Sequence, residues 1–138
     1  MCDHPRTGSV EQLLIQAYQE AMIHRVLAAV GWASLAFIAY ATLCPLGSRP
    51  ELTDVHFEHL GAFAVLGLVF ALAYPRHLGV VVLIVIGSAL TLELLQLLTP
   101  DRHGRVIDAS IKAAGGLMGV GVGWLVYALM KARRIGTG

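Results

Sequence analysis

The chain has 138 residues, is 57% hydrophobic and only 14% charged, and carries a net charge of +1 with a mean hydropathy of +0.70. A soluble domain carries about 25% charged residues, and a domain this short cannot bury so large an apolar fraction, so much of its apolar surface is expected to face lipid. The near-zero charge, with no basic stripe and no basic–aromatic alternation, excludes nucleic acid as a partner class.

The length fits one domain. Cys2 and Cys44 do not make a disulfide framework, and on the topology below they lie on opposite sides of the bilayer. Met1 to Gly8 is polar and lacks the apolar core of a cleavable signal, so insertion is expected to depend on the first hydrophobic segment.

Ser9 and Gln12 have the spacing of a capping box and predict a helix start at Ser9. Val10, Leu13, Leu14, Ala17, Tyr18, Ala21 and Met22 then share one helical face, and Glu11, Gln12, Gln16, Gln19 and Glu20 occupy the other. Such an amphipathic helix suits either the membrane surface or a partner subunit. His24 and Arg25 precede an uncharged run, Val26 to Leu43, of spanning length. Pro45, Gly47 and Pro50 mark a loop. A second span is expected over His59 to Tyr74, beginning near His56, followed by a tight turn at Pro75-Arg76-His77. Leu78 to Leu98 and Ile107 to Met130 read as the third and fourth spans, and Lys131, Arg133 and Arg134 follow as a basic tail. The fold expected is an all-α integral membrane protein: a tail and interfacial helix over 1–25, a four-helix transmembrane bundle over 26–130, and the tail 131–138.

Charge orients the bundle. Six of the ten Lys and Arg residues lie at the N-terminus, the second turn or the tail: Arg6, Arg25, Arg76, Lys131, Arg133 and Arg134. Arg49, Arg102 and Arg105 lie in the other two loops. The positive-inside rule then predicts cytoplasmic termini in a bacterial inner membrane, with Arg49 to Glu58 and Thr99 to Asp108 outside. Gly115, Gly119 and Gly123 form a small-residue face on the fourth span, suited to close packing inside the bundle or to a homodimer contact.

The polar residues gather where the third and fourth spans meet. Glu93 and Gln96 share a face near the end of the third, and Asp108 and Lys112 open the fourth one turn apart. Arg102 and Arg105 lie between, and His59 opens the second span at the same end. Polar groups beside hydrocarbon are costly and so have partners or a role. Three readings are open. In the structural one, Asp108 complements a helix N-terminus and pairs with Lys112, while Glu93 pairs with Arg102 or Arg105. In the binding one, Arg, Lys and His face outward at headgroup depth and take the phosphate or carboxylate of a lipid-linked molecule. In the catalytic one, Glu93 and His59 act as acid and base and Arg102 stabilises charge, with Ser110 a bare nucleophile candidate. His56 and His59 lack a third ligand at metal spacing, so no metal or other cofactor is expected.

These residues resemble the signature of VanZ-like membrane proteins. The likeness rests on Glu93-x-x-Gln96, Arg102, Asp108, Gly115 and Gly119 at matching gaps, and upstream on Pro45, Asp54, His56-Phe57, His59 and Phe63-x-x-Leu66-Gly67. It extends over about Leu43 to Gly123. The chain departs from the pattern at Lys112, where Asn is usual, at Leu97, where an aromatic is usual, and at Val55, where Lys often follows the aspartate. The resemblance implies a multi-pass fold and a cell-envelope setting; the family's namesake is associated with low-level teicoplanin resistance, and no reaction is established for the family at large. The reading that leads is an envelope protein binding an anionic or lipid-linked component at its outer face, more in keeping with a binding protein than an enzyme. The alternative is a small structural or assembly subunit of a larger membrane complex, docked through the N-terminal helix.

Overall fold

The structure, a computed structural model, describes residues 7–43, 55–98 and 106–136. The expectations placed on Cys2, Cys44, Arg49, Arg102 and Arg105 lie outside these residues, as do those on the side chains of Ser9, His56 and Arg134. Four helices account for nearly all of the described chain: α1 Thr7–Leu43, α2 Val55–Ala73, α3 Leu78–Leu97 and α4 Val106–Gly136.

Two boundaries differ from the sequence reading. The expected interfacial helix and first span are one helix of 37 residues, and it starts at Thr7, two residues before the expected cap. No Gly or Pro stands between Ser9 and Val30, so the polar pair His24-Arg25 changes the composition without interrupting the backbone hydrogen bonds. At about 1.5 Å per residue α1 is about 55 Å long, against about 30 Å for a bilayer core. The basic tail is likewise a helical extension of α4 to Gly136. Lys, Ala and Arg are good helix formers, and cations suit a helix C-terminus.

Three helices hold stretches long and apolar enough to cross a membrane, Val10–Leu43, Leu78–Leu97 and Val106–Arg133. The apolar part of α2, Phe57–Ala73, is shorter. α2 is also the most enclosed element. It packs against each of the other three helices, whereas among the described residues α1 and α4 do not meet. Phe63, Leu66, Phe70 and Ala71 of α2 form the core with Val81, Val85, Ala89 and Leu92 of α3 and Val120 of α4. The α3 contribution recurs every three or four residues, the stripe that a helix turns toward its neighbours. Leu35, Ile38, Ala39 and Leu43 of α1 close the core from the other side. Trp32 meets Phe70 edge-on at 5.3 Å between ring centroids, and Phe70 stacks on Tyr74 at 6.3 Å.

The tightest contact is α2 on α4. A Cβ built at Gly115 would collide with the carbonyl of Leu60, one at Gly119 with the carbonyl of Ala64, and one at Gly67 with the carbonyl of Gly116. At Gly123 it would lie 2.7 Å from the Ala71 Cβ. The four-residue glycine spacing of α4 thus runs in register with Leu60, Ala64 and Leu68–Ala71 of α2. Gly116, one residue round the helix, faces Val85 of α3 instead, so adjacent glycines admit two neighbours. Small residues allow this approach, and it replaces a hydrophobic drive that lipid does not supply.

The α2–α3 connection is the expected tight turn. His77 N–H donates to the Tyr74 carbonyl at 3.0 Å, with Pro75 at the second turn position, where its fixed φ is favoured. Gly119→Val is expected to lower the thermal midpoint in detergent by about 1–3 kcal/mol of stability, the usual overpacking cost. Gly121→Ala, at a position with nothing within 4 Å of an added Cβ, should leave the midpoint within a degree or two or raise it slightly. Circular dichroism melts of both variants check the pair.

Candidate functional site

Every helix sends a polar group to one end of the bundle, where α1 and α3 finish and α2 and α4 begin. Lys112 of α4 is wholly buried, at 0% exposure, and its ammonium donates to Glu93 Oε2 of α3 at 2.6 Å. It also reaches Gln96 Oε1 at 3.4 Å. The Gln96 amide nitrogen donates onward to the Thr42 carbonyl of α1, again at 3.4 Å. His59 of α2 is buried at the same level, next to the Leu60 carbonyl that faces Gly115. Asp108, in the first turn of α4, is half-buried and stands at a helix N-terminus, where its charge is favourable.

The chain explains this geometry simply. Glu93 and Gln96 are three apart on α3 and continue the buried stripe of Val81, Val85, Ala89 and Leu92. That stripe carries them inward. Lys112 precedes Gly115 and Gly116 by about one turn, where α4 lies closest to its neighbours, so its long side chain has no path to solvent. An unpaired ammonium there would be several kcal/mol unfavourable; a carboxylate at short range and an amide oxygen make the site tolerable. The Thr42 carbonyl belongs to the last turn of α1, where carbonyls lack intrahelical donors, and Gln96 supplies one. The same device recurs at the other end, where His24 Nδ1–H donates at 3.0 Å to the Leu72 carbonyl in the last turn of α2. Among the described residues no buried side-chain nitrogen or oxygen lacks a partner.

Several expectations change. Glu93 meets Lys112 on a neighbouring helix, and Arg102 and Arg105, the partners first considered for it, lie outside the described residues. Lys112 and His59 do not face outward at headgroup depth; with Glu93 and Gln96 they are inside the bundle. The reason is the close approach of α4, which the charge of Lys112 alone does not foretell. Ser110 gains no activating base, because its hydroxyl donates back to the Val106 carbonyl at 2.9 Å. Among the described residues no three His, Cys, Asp or Glu side chains converge as a metal site would require. Gly115, Gly119 and Gly123 face α2 within the same chain. Two participants were missed. The part of Thr42 is played by its backbone, which no residue-type pattern reveals, and the bond from His24 depends on how α1 leans on α2.

The site therefore joins α1, α3 and α4 by a neutral ion pair and its amide relay, with His59 of α2 buried at the same level. The VanZ/LLP1 family model matches residues 6–129, nearly the whole chain. The chain belongs to the VanZ/LLP1 family. No curated protein and no solved structure matches it. The VanZ/LLP1 match includes both partners of the ion pair and all of α1, so it reaches well beyond the Leu43 to Gly123 stretch over which the motif residues lie.

Lys112→Met leaves Glu93 buried without a cation and is expected to destabilise the bundle by about 3–5 kcal/mol. The double variant Lys112→Met/Glu93→Gln should recover most of that loss, because both charges are gone. A double-mutant cycle on thermal or denaturant unfolding in detergent gives the coupling between the two residues.

Proposed function

We propose that this VanZ/LLP1 protein is a four-span protein of a bacterial cytoplasmic membrane, with both termini inside, and that it holds an anionic, lipid-linked envelope molecule at its outer face. Arg25, Arg76, Lys131 and Arg133 fall at one end of the bundle, which supports placing that end in the cytoplasm. At 19 residues α2 is about 28 Å long, close to the bilayer core, and its neighbours cover it on three sides.

The observation that carries the binding reading is the Lys112–Glu93 pair. Glu93 lies on α3 little more than a turn before the α3–α4 connection, and Lys112 already balances its charge inside the bundle. In sequence, the α3–α4 connection holds Asp101, Arg102, His103 and Arg105, a net basic set. Arginine suits a phosphate or carboxylate because its planar fork donates two parallel hydrogen bonds. In this reading Lys112, Glu93 and Gln96 are a fixed floor that ties the ends of α1, α3 and α4 together, and Arg102 and Arg105 supply the contact with the ligand.

Native mass spectrometry of protein extracted gently from its own membranes tests this. A retained phosphate-bearing adduct is expected on the wild type and should fall about tenfold in Arg102→Ala. Equal retention by both proteins overturns the reading.

A second reading, the assembly subunit, draws on α1. Val10, Leu13, Leu14, Tyr18 and Met22 are all exposed on the part of α1 that precedes its contact with α2 at His24. Deleting residues 1–23 should then release co-purifying polypeptides while the bundle stays folded; unchanged co-purification removes this reading.

A further inference from the structure

At the end of the bundle opposite the ion pair, an apolar cleft opens between α1 and the start of α3. Its volume is about 280 Å³, and Trp32, Tyr74, His77, Val80, Val81 and Ile84 line it. The wall is almost entirely hydrocarbon and aromatic. Its depth runs from His77, in the α2–α3 turn, to Ile84, about 10 Å further along α3 at 1.5 Å per residue. A slot of that shape at the edge of the apolar zone fits the upper part of an acyl chain.

The rim of the slot is basic. His77 lines it and is exposed, and Arg76 beside it in the turn is exposed too. On α1, Arg25 and Trp32 are seven residues apart and therefore on the same side of the helix, about 10 Å apart along its axis. Ala28 and Ala29, both small, lie on the turn between them. His24, next to Arg25, bonds to the Leu72 carbonyl, which brings this part of α1 against the end of α2 that enters the turn. Arg76 and His77 in the turn thus stand at the rim of a hydrocarbon slot, and Arg25 lies on the stretch of α1 that His24 holds against the end of α2. Trp32 holds one wall through its edge-on contact with Phe70, and Phe70 in turn stacks on Tyr74. Basic residues at a membrane face attract anionic headgroups, and each is worth about fivefold in local affinity.

We propose that this cleft is a binding site for an anionic phospholipid, which places one acyl chain against Trp32, Val81 and Ile84 and its phosphate between Arg25 and Arg76–His77. The charge complementarity selects a headgroup of net negative charge over a zwitterionic one. The site is separate from the outer-face site proposed above and shares with it only the placement of the bundle in a bilayer.

The chain has two tryptophans, and they separate the two claims. Trp32 in the cleft is 49% exposed, and Trp124 on the outer side of α4 is 53% exposed. The Trp124→Phe and Trp32→Phe variants, each with one tryptophan, are reconstituted in nanodiscs carrying a small fraction of brominated phosphatidylglycerol or, in parallel, brominated phosphatidylcholine. Fluorescence quenching reports contact. Trp124 is expected to be quenched equally by the two lipids. Trp32 is expected to prefer phosphatidylglycerol about fivefold or more, and the preference should vanish when Arg25→Ala and Arg76→Ala are added but persist with Lys131→Ala and Arg133→Ala. Val80→Phe, at the exposed rim of the cleft, should lower quenching of Trp32 by phosphatidylglycerol. Equal quenching of Trp32 by both lipids, with Trp124 still quenched, overturns the site alone. Absence of quenching at both tryptophans overturns the membrane placement and the site with it.

Discussion

The close approach of α4 to α2 is the constraint on which the other features rest. Glycines at 115, 119 and 123 bring the α4 backbone onto the carbonyls of Leu60, Ala64 and Leu68. In lipid, helices gain little from hiding apolar surface, since the tails outside are as apolar as the core, and packing at short range must supply the association. Gly116 and Val85 extend the same logic to α3. Because α4 sits so close, a side chain one turn before these glycines is sealed inside, and the residue there is Lys112.

A sealed ammonium has few stable outcomes. It needs a carboxylate within hydrogen-bond reach, and Glu93 provides it at 2.6 Å. The pair is chemically matched but sits among apolar helices, so its worth to stability is largely conditional: losing one member costs more than the pair contributes. What it adds is specificity of assembly. Glu93 can meet Lys112 in one register of α3 against α4, and Gln96 can reach the Thr42 carbonyl only if α1 ends at that height. The polar network therefore fixes the relative heights of three helices at the end where the glycine contacts are already fixing two.

The two ends of the bundle differ in chemistry. At one, the charges are inside and paired, and the α3–α4 connection carries the basic residues. At the other, Arg25, Arg76, Lys131 and Arg133 are exposed, and an apolar cleft opens between α1 and α3. The His24–Leu72 bond and the Gln96–Thr42 bond are alike in capping a helix end by a side chain from a neighbouring helix. Such caps let a helix finish inside a membrane protein without leaving carbonyls unpaired in hydrocarbon.

The sequence by itself determined the helical class, the three inter-helix breaks and the family. Long apolar runs admit only helices in lipid, Pro75 stops α2, and the spacing of Glu93, Gln96, Asp108, Gly115 and Gly119 is specific enough to recognise. Also legible was that His59, Glu93, Gln96, Asp108 and Lys112 lie toward one end of the bundle. Their partners were not legible. Residue spacing reports which groups share a face of one helix, and it made Asp108 and the arginines the natural partners. Which face of α3 meets which face of α4 depends on how several helices pack at once, so only the tertiary structure turned Lys112 inward to Glu93. Likewise, the continuity of α1 through His24-Arg25 follows from backbone hydrogen bonds that hydropathy does not register. The cleft beside Trp32 is lined jointly by α1, the α2–α3 turn and α3, a property of the packing that no single helix carries alone.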